Sequence, residues 1–329
     1  MQKTIPFDLY EGKGRTVSQR NQKLPSYEPL TGAENPADYI ADEGLCKAVN
    51  VALALGQPLL VTGDPGCGKT RLAHSMAFDL ELGEPLIFHT KTTSAAADLF
   101  YHFDTLGRFH DAHSREQKAA DPEKYVTYQA LGLAILLAQE KGKADAFLPK
   151  EFQGKGPTRS LVLIDEIDKA PRDLPNDILN EIEKMSFSVR ETGRSFSADQ
   201  AFRPVILLTS NSEKNLPDAF LRRCVFYHIS FPDEKRLGQI LQKRFGKEGG
   251  LDPEFVKNLI RHFEKIRDID LKKKPSTAEF LAWVRVMQSL EIKDPEKIRP
   301  EQADMLALSY SVLAKSEEDL RRLKRETQK

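Results

Sequence analysis

Eight consecutive residues constrain this chain more than any others. Gly63-Asp64-Pro65-Gly66-Cys67-Gly68-Lys69-Thr70 matches G-x-x-x-x-G-K-[ST] at every position. A loop of this kind wraps phosphate oxygens and points backbone N–H groups inward. Its glycines supply the backbone angles and leave room for the ligand. The helix that follows presents its partly positive N-terminus to the same phosphates. Lys69 adds a full charge at the β- and γ-phosphates, the Thr70 hydroxyl can hold Mg²⁺, and the binding stretch runs on to Arg71. The motif also dictates a fold, because it needs a strand before it and a helix after it. Both flanks comply: Pro58 to Thr62 is a short apolar run between glycines, and Arg71 to Leu82 reads as a helix stopping at Gly83. The plain alternative, a chance glycine-rich turn, would not come with that context.

Further apolar runs at 85–90, 161–165, 204–209 and 225–229 read as strands separated by helices, the first helix spanning about Asp42 to Leu55. Continuous apolar strands alternating with helices imply a parallel sheet covered on both faces. Beyond Pro232 the period becomes helical throughout. Leu237, Ile240, Leu241 and Phe245 share a face, as do Phe255, Leu259, Phe263 and Ile266, and further helices start at Ser276 and near Glu301. The expected organisation is a polar, Gly- and Pro-broken arm over 1–37, an α/β domain over 38–231 and a small α-helical domain over 232–329. The stretch 105–157 is an elaboration carrying a helix from Tyr128 to Gln139.

The run Leu161-Val162-Leu163-Ile164-Asp165-Glu166 puts two carboxylates at the C-terminal end of a buried strand, where open α/β sheets bind ligands. Asp165 there would hold the Mg²⁺ shell and Glu166 would polarise the attacking water. Taken alone, the pair also reads as a solvated acidic turn. A phosphate loop, a strand ending in Asp-Glu and a helical C-terminal domain together resemble the AAA+ ATPases, with a five-stranded parallel P-loop sheet and a helical lid. The resemblance covers residues 38 to about 290. It makes Asn211, just past the fourth strand, the residue that helps place the water and reads the γ-phosphate. It makes Arg223, directly before Cys224, an arginine that reaches the neighbouring subunit's site, with Arg222 as helper. The plainer readings are a turn asparagine and a solvated helix end. A finger supplied in trans requires an oligomer, and the resemblance implies a ring of six. No Asn-Lys-x-Asp guanine motif occurs, which favours ATP; the resemblance assigns adenine contacts to Tyr39, Ile40 and nearby backbone.

Within AAA+, the alternation Ser186 to Val189, a turn at Thr192-Gly193 and a return through Ser195 to Ala198 form a β-hairpin that resembles the MoxR, chelatase and McrB-like branch, and the MoxR-like family in particular. Members of that family look like ATP-driven chaperones that remodel partner proteins, often ones with a von Willebrand A domain. The chain departs from the pattern near Ala278, where many relatives carry a phosphate-sensing arginine. Here Ser276 and Glu279 form a capping box, and Arg285, two turns on, is the candidate replacement. Two competing functions stay open: a nucleic-acid translocating motor that recruits a nuclease, as in McrB-like relatives, and an ATP-gated assembly switch. Charge bears on the first of these. Lys+Arg and Asp+Glu both number 49, which disfavours a nucleic-acid-coating role without excluding local contacts. The basic run Arg321 to Arg325 reads better as a solvated helix end than as a nucleic-acid site, and His110, Asp111 and His113 better as a polar helix face than as a metal site. Three widely spaced cysteines give neither a disulfide framework nor a zinc pattern, and no segment approaches a membrane span, so a cytoplasmic setting is expected.

Overall fold

The computed structural model describes residues 35–113, 121–140, 142–213, 216–245 and 251–326. Most of the expected N-terminal arm lies outside these residues. The chain divides into two compact units. One runs from Ala41 to Ser230. The other takes in Phe231 onward together with the described residues before Ala41, so that 38–40, read from sequence as the start of the α/β domain, cluster with the helices instead.

The α/β unit opens with α1 (Glu43–Leu55), whose first turn is fixed by Asp42 accepting the Leu45 N–H at 2.7 Å and whose last turn is closed by Gly56. Next come β1 (Leu59–Gly63), α2 (Lys69–Asp79) and β2 (Leu86–His89). An elaboration follows: β3 (Tyr101–Phe103), α3 (Thr105–His113), β4 (Val126–Tyr128) and α4 (Ala130–Leu137). After it come β5 (Leu161–Asp165), two short helices α5 (Leu174–Asp177) and α6 (Leu179–Lys184), the hairpin β6 (Ser186–Val189) and β7 (Arg194–Ser197), then β8 (Val205–Ser210), α7 (Asp218–Leu221) and β9 (Val225–Ile229). The central sheet has the order β2-β5-β8-β1-β9, and every neighbouring pair in it is parallel. All residues of β1 and β5 are buried, so both faces of the sheet are covered, as their unbroken apolar runs require.

Three elements differ from the expectation. Helix α2 starts at Lys69, inside the motif, and ends three residues before Leu82, the chain leaving through Glu81 in a left-handed conformation. The helix expected from Tyr128 begins at Ala130, because Val126–Tyr128 pairs antiparallel with Tyr101–Phe103. Gly132 then lets α4 lie against the Phe100 carbonyl; a Cβ there would sit 1.9 Å from that oxygen. A single helix carrying Ile178, Leu179, Ile182 and Met185 on one face is also expected from their spacing, but only Leu179 and Ile182 lie in a helix, α6; Ile178 joins α5 to α6, and Met185 turns left-handed to start the 186–197 hairpin. That hairpin is joined to the elaboration by aromatic contacts, Phe100–Phe187 at 5.2 Å and Tyr128–Phe196 at 5.7 Å between ring centroids.

The helical unit contains α8 (Glu234–Phe245), α9 (Pro253–Asp268), α10 (Thr277–Ser289), α11 (Ala303–Ser309) and α12 (Glu317–Glu326). The Ser276–Glu279 capping box at the start of α10 is present. Its core is centred on Leu259, Phe263, Phe280 and Trp283, all fully buried.

Candidate functional site

The parallel sheet brings the C-terminal ends of β1, β5 and β8 side by side, and each end carries part of the motif chemistry. β1 runs into the phosphate loop. Gly63, at φ +150°, leaves the strand where a Cβ would sit 2.8 Å from the Ile229 carbonyl and 2.9 Å from the Cys67 sulfur, so a side chain would collide with β9 on one side and the loop on the other. Gly68, left-handed, precedes α2, whose first turn receives no side-chain cap. Its N–H groups are those an anion would meet. Asp64, Pro65 and Gly66 form the exposed rim of the loop. The Cys67 thiol is pushed up by burial, against the lowering effect of Lys69, and stays protonated at neutral pH.

Lys69 is 7% exposed. Its ammonium donates to the Gly63 carbonyl at 2.6 Å, the Asp64 carbonyl at 3.2 Å and the Asn211 side-chain oxygen at 2.9 Å. All three partners are neutral oxygens, so among the described residues this buried cation is wrapped without a counter-charge. Such an environment stabilises a bound anion more than it stabilises the protein. The next residue, Thr70, donates to both oxygens of Asp165, at 3.2 and 3.3 Å. A hydroxyl and a 9%-exposed carboxylate facing each other are the hard oxygen donors Mg²⁺ takes.

Glu166 follows Asp165 in a left-handed conformation (φ 57°, ψ 49°), uncommon for a residue with a Cβ. Its carboxylate accepts from the Lys169 ammonium three residues on, and that bond raises the lysine pKa. Asn211 ties the loop to the acidic segment: its side chain meets Lys69, and its N–H donates to Asp168 at 3.3 Å. Sequence reasoning missed Thr209. Fully buried, it donates to Asp165 at 2.5 Å and accepts the Glu166 N–H at 2.9 Å. A hydroxyl two residues before Asn211 was the available signal, but the run Leu208-Thr209-Ser210 reads as ordinary strand.

Most of the remaining candidates have partners elsewhere. Arg223 follows α7, exposed, donating weakly to the Ala219 carbonyl and pairing with Glu183 at 3.8 Å; Arg222 beside it is also exposed. Arg71 stands in the first turn of α2. Ile40 is held in the helical unit, its carbonyl accepting from Arg236 at 3.0 Å. Arg285 lies in α10 near Arg244, whose guanidinium is lowered by burial and, secondarily, by Arg285. Asp111 accepts from the Tyr125 hydroxyl at 2.8 Å, the His113 side chain lies outside the described residues, and among those residues no group of three or more metal-ligating side chains converges. The basic run of α12 is partly neutralised by its own first turn, Arg321 by Glu317 and Arg322 by Glu318. No helix among the described residues is long and apolar enough to cross a membrane.

The sequence profile of the AAA domain (dynein-related subfamily) matches residues 58–224, just over half of the 329-residue chain and the whole of the stretch from the phosphate loop to Arg223. Among curated proteins no sequence matches. Among solved structures, one similar chain is a variant of Thermotoga maritima RuvB, 15% identical, with a TM-score of 0.44 over 82% of this chain and 67% of that one.

Proposed function

This chain belongs to the dynein-related subfamily of AAA domains, the MoxR-like branch of the AAA+ ATPases, and on that premise we propose that it is a Mg²⁺-dependent ATPase whose active sites are completed between subunits of a ring and whose turnover remodels a partner protein. The observation that supports this most is the bonded circuit at three adjacent strand ends, Lys69 to Asn211 to Asp168 on one side and Thr70 to Asp165 to Thr209 on the other.

Each residue has a task that its position allows. Residues 63–71 grip the triphosphate, with Lys69 supplying the missing counter-charge to the β- and γ-phosphates. Thr70 and Asp165 would hold Mg²⁺, which when bound neutralises charge on those phosphates. Glu166 takes the proton of the attacking water, and Asn211 orients that water and senses the γ-phosphate. Arg223 acts on the next subunit's site, which fits its exposure and its pairing with Glu183, a residue outside the local bonded circuit. The helical unit serves as lid. The ring is a hexamer in the cytoplasm, and its client is a protein, one class being those with a von Willebrand A domain.

Mixing two inactive variants tests this reading. Arg223→Ala subunits keep their own phosphate loop and base, whereas Glu166→Gln subunits keep the finger. Alone, Arg223→Ala should hydrolyse ATP ~10³-fold more slowly than the wild type or slower still and Glu166→Gln ~100-fold more slowly or slower still, and mixed assemblies should recover activity. Normal hydrolysis by Arg223→Ala would refute the trans site, and strong stimulation of the wild type by DNA would replace the protein client with a nucleic-acid track.

A further inference from the structure

We propose that Thr209 is a positioning residue for ATP hydrolysis: its hydroxyl ties the Asp165 carboxylate and the Glu166 backbone to β8, the strand that leads directly to Asn211. The inference rests on the reading of Asp165 and Glu166 given above.

Strand register makes the contact possible. β5 and β8 run parallel with Leu161 opposite Val205 and Ile164 opposite Leu208, so Asp165 and Thr209 are the next pair and point to the same side of the sheet. A hydroxyl has one donor and two acceptor positions, and here both functions are used in opposite directions. The proton goes to Asp165 at 2.5 Å, and a lone pair receives the Glu166 N–H at 2.9 Å. No apolar isostere can do either, and a carboxylate could not donate.

The neighbouring hydroxyls behave differently. Ser210 bonds locally to the Ser212 backbone, and Thr62 bonds His228 across the sheet. Thr209 bridges two successive residues of the acidic pair. The second of these is held left-handed where the strand stops, a conformation that persists only when its surroundings fix it. The Glu166 N–H is the backbone group that fixes it from β8. Through Thr209 the carboxylate assigned to the metal, the peptide bearing the base and the strand carrying Asn211 share one set of coordinates. A shift of that base by about 1 Å is enough to cost about 100-fold in rate.

Steady-state ATP hydrolysis at saturating Mg²⁺ tests the proposal with three variants. Thr209→Val keeps the shape and removes the hydroxyl, whereas Thr209→Ser and Thr209→Ala differ from each other by the hydroxyl alone. Thr209→Val and Thr209→Ala should lose roughly 10- to 100-fold in kcat with the KM for ATP within about twofold of wild type, the signature of an interaction that acts on the chemical step. Thr209→Ser should restore most of the rate. A role in packing alone would instead move thermal stability and leave kcat in place. Wild-type kcat in Thr209→Val overturns the proposal, as does equal kcat in the Ser and Ala variants, a comparison that holds even if Thr209→Val fails to fold. Glu166→Gln is run alongside. If it still turns over, the reading of the site falls; if it is silent while the Thr209 variants run at the wild-type rate, Thr209 alone falls.

Discussion

Two buried polar clusters, one in each unit, are built differently. In the helical unit His262 is 4% exposed, stacked between Trp283 and Tyr310, with its Nε2 at 3.0 Å from the Tyr310 hydroxyl. The Trp283 N–H donates to Ser309, which donates to the Leu306 carbonyl. These partners all belong to the same core, and burial lowers the His262 pKa to about 4, so the ring is neutral there. In the α/β unit a lysine and a carboxylate are buried at strand ends, the lysine among neutral oxygens, beside a glutamate in an uncommon backbone conformation. The first arrangement completes a core. The second holds charge ready for something that is not protein, at a cost in stability that functional sites commonly carry.

This contrast can be broken, and the largest effect should come from Lys69. Lys69→Ala should weaken ATP binding about 100-fold, the loss of charge-assisted bonds to phosphate, without lowering the thermal midpoint, since it removes a buried cation that lacks a counter-charge. Fluorescence titration and thermal melting read the two effects separately, and a large drop in the midpoint would make Lys69 a structural residue.

His262 should give the reverse pattern. Its folded pKa lies below the unfolded value of ~6.5, so the unfolded chain binds the extra proton between about pH 6.5 and 4. Stability is therefore fully present above that window and falls through it as the pH drops, by at most about 3 kcal/mol. Trp283, the one tryptophan of the chain, reports the unfolding of its own surroundings. Urea titrations across the window should show the loss, and His262→Gln should flatten it.

The smallest effect separates two glutamates with nearly the same positive φ. Glu291 is also left-handed (φ 55°), but it is exposed just past the end of α10. Glu291→Gly should raise stability by about 1 kcal/mol with no change in turnover. The same change at Glu166 relieves the same strain and should abolish turnover.

Sequence carried much of this. The phosphate loop, the limits of β5 and β9, the 186–198 hairpin and the α10 capping box are all local patterns in which residue type and conformation coincide. The β3–β4 pairing was not legible, because three-residue strands have no period and their partners are far apart in sequence. Nor were Thr209 and Asp168 legible as members of the site: each acts through a bond to a residue more than forty positions away, which exists only once β5 and β8 lie side by side. Arg203 is a further case. It holds the end of α1 through Gly56 and the end of α6 through Ile182 and Glu183, a role no local pattern announces.

In the proposed mechanism the strand ends of the α/β unit form an ATP-hydrolysing site with Glu166 as its base. ATP affinity and turnover of Glu166→Gln, measured beside the wild type, test it most directly. Wild-type affinity is expected, with turnover reduced by about 100-fold or more. Turnover near the wild-type rate in that variant, or a wild-type protein that does not bind ATP, would contradict it.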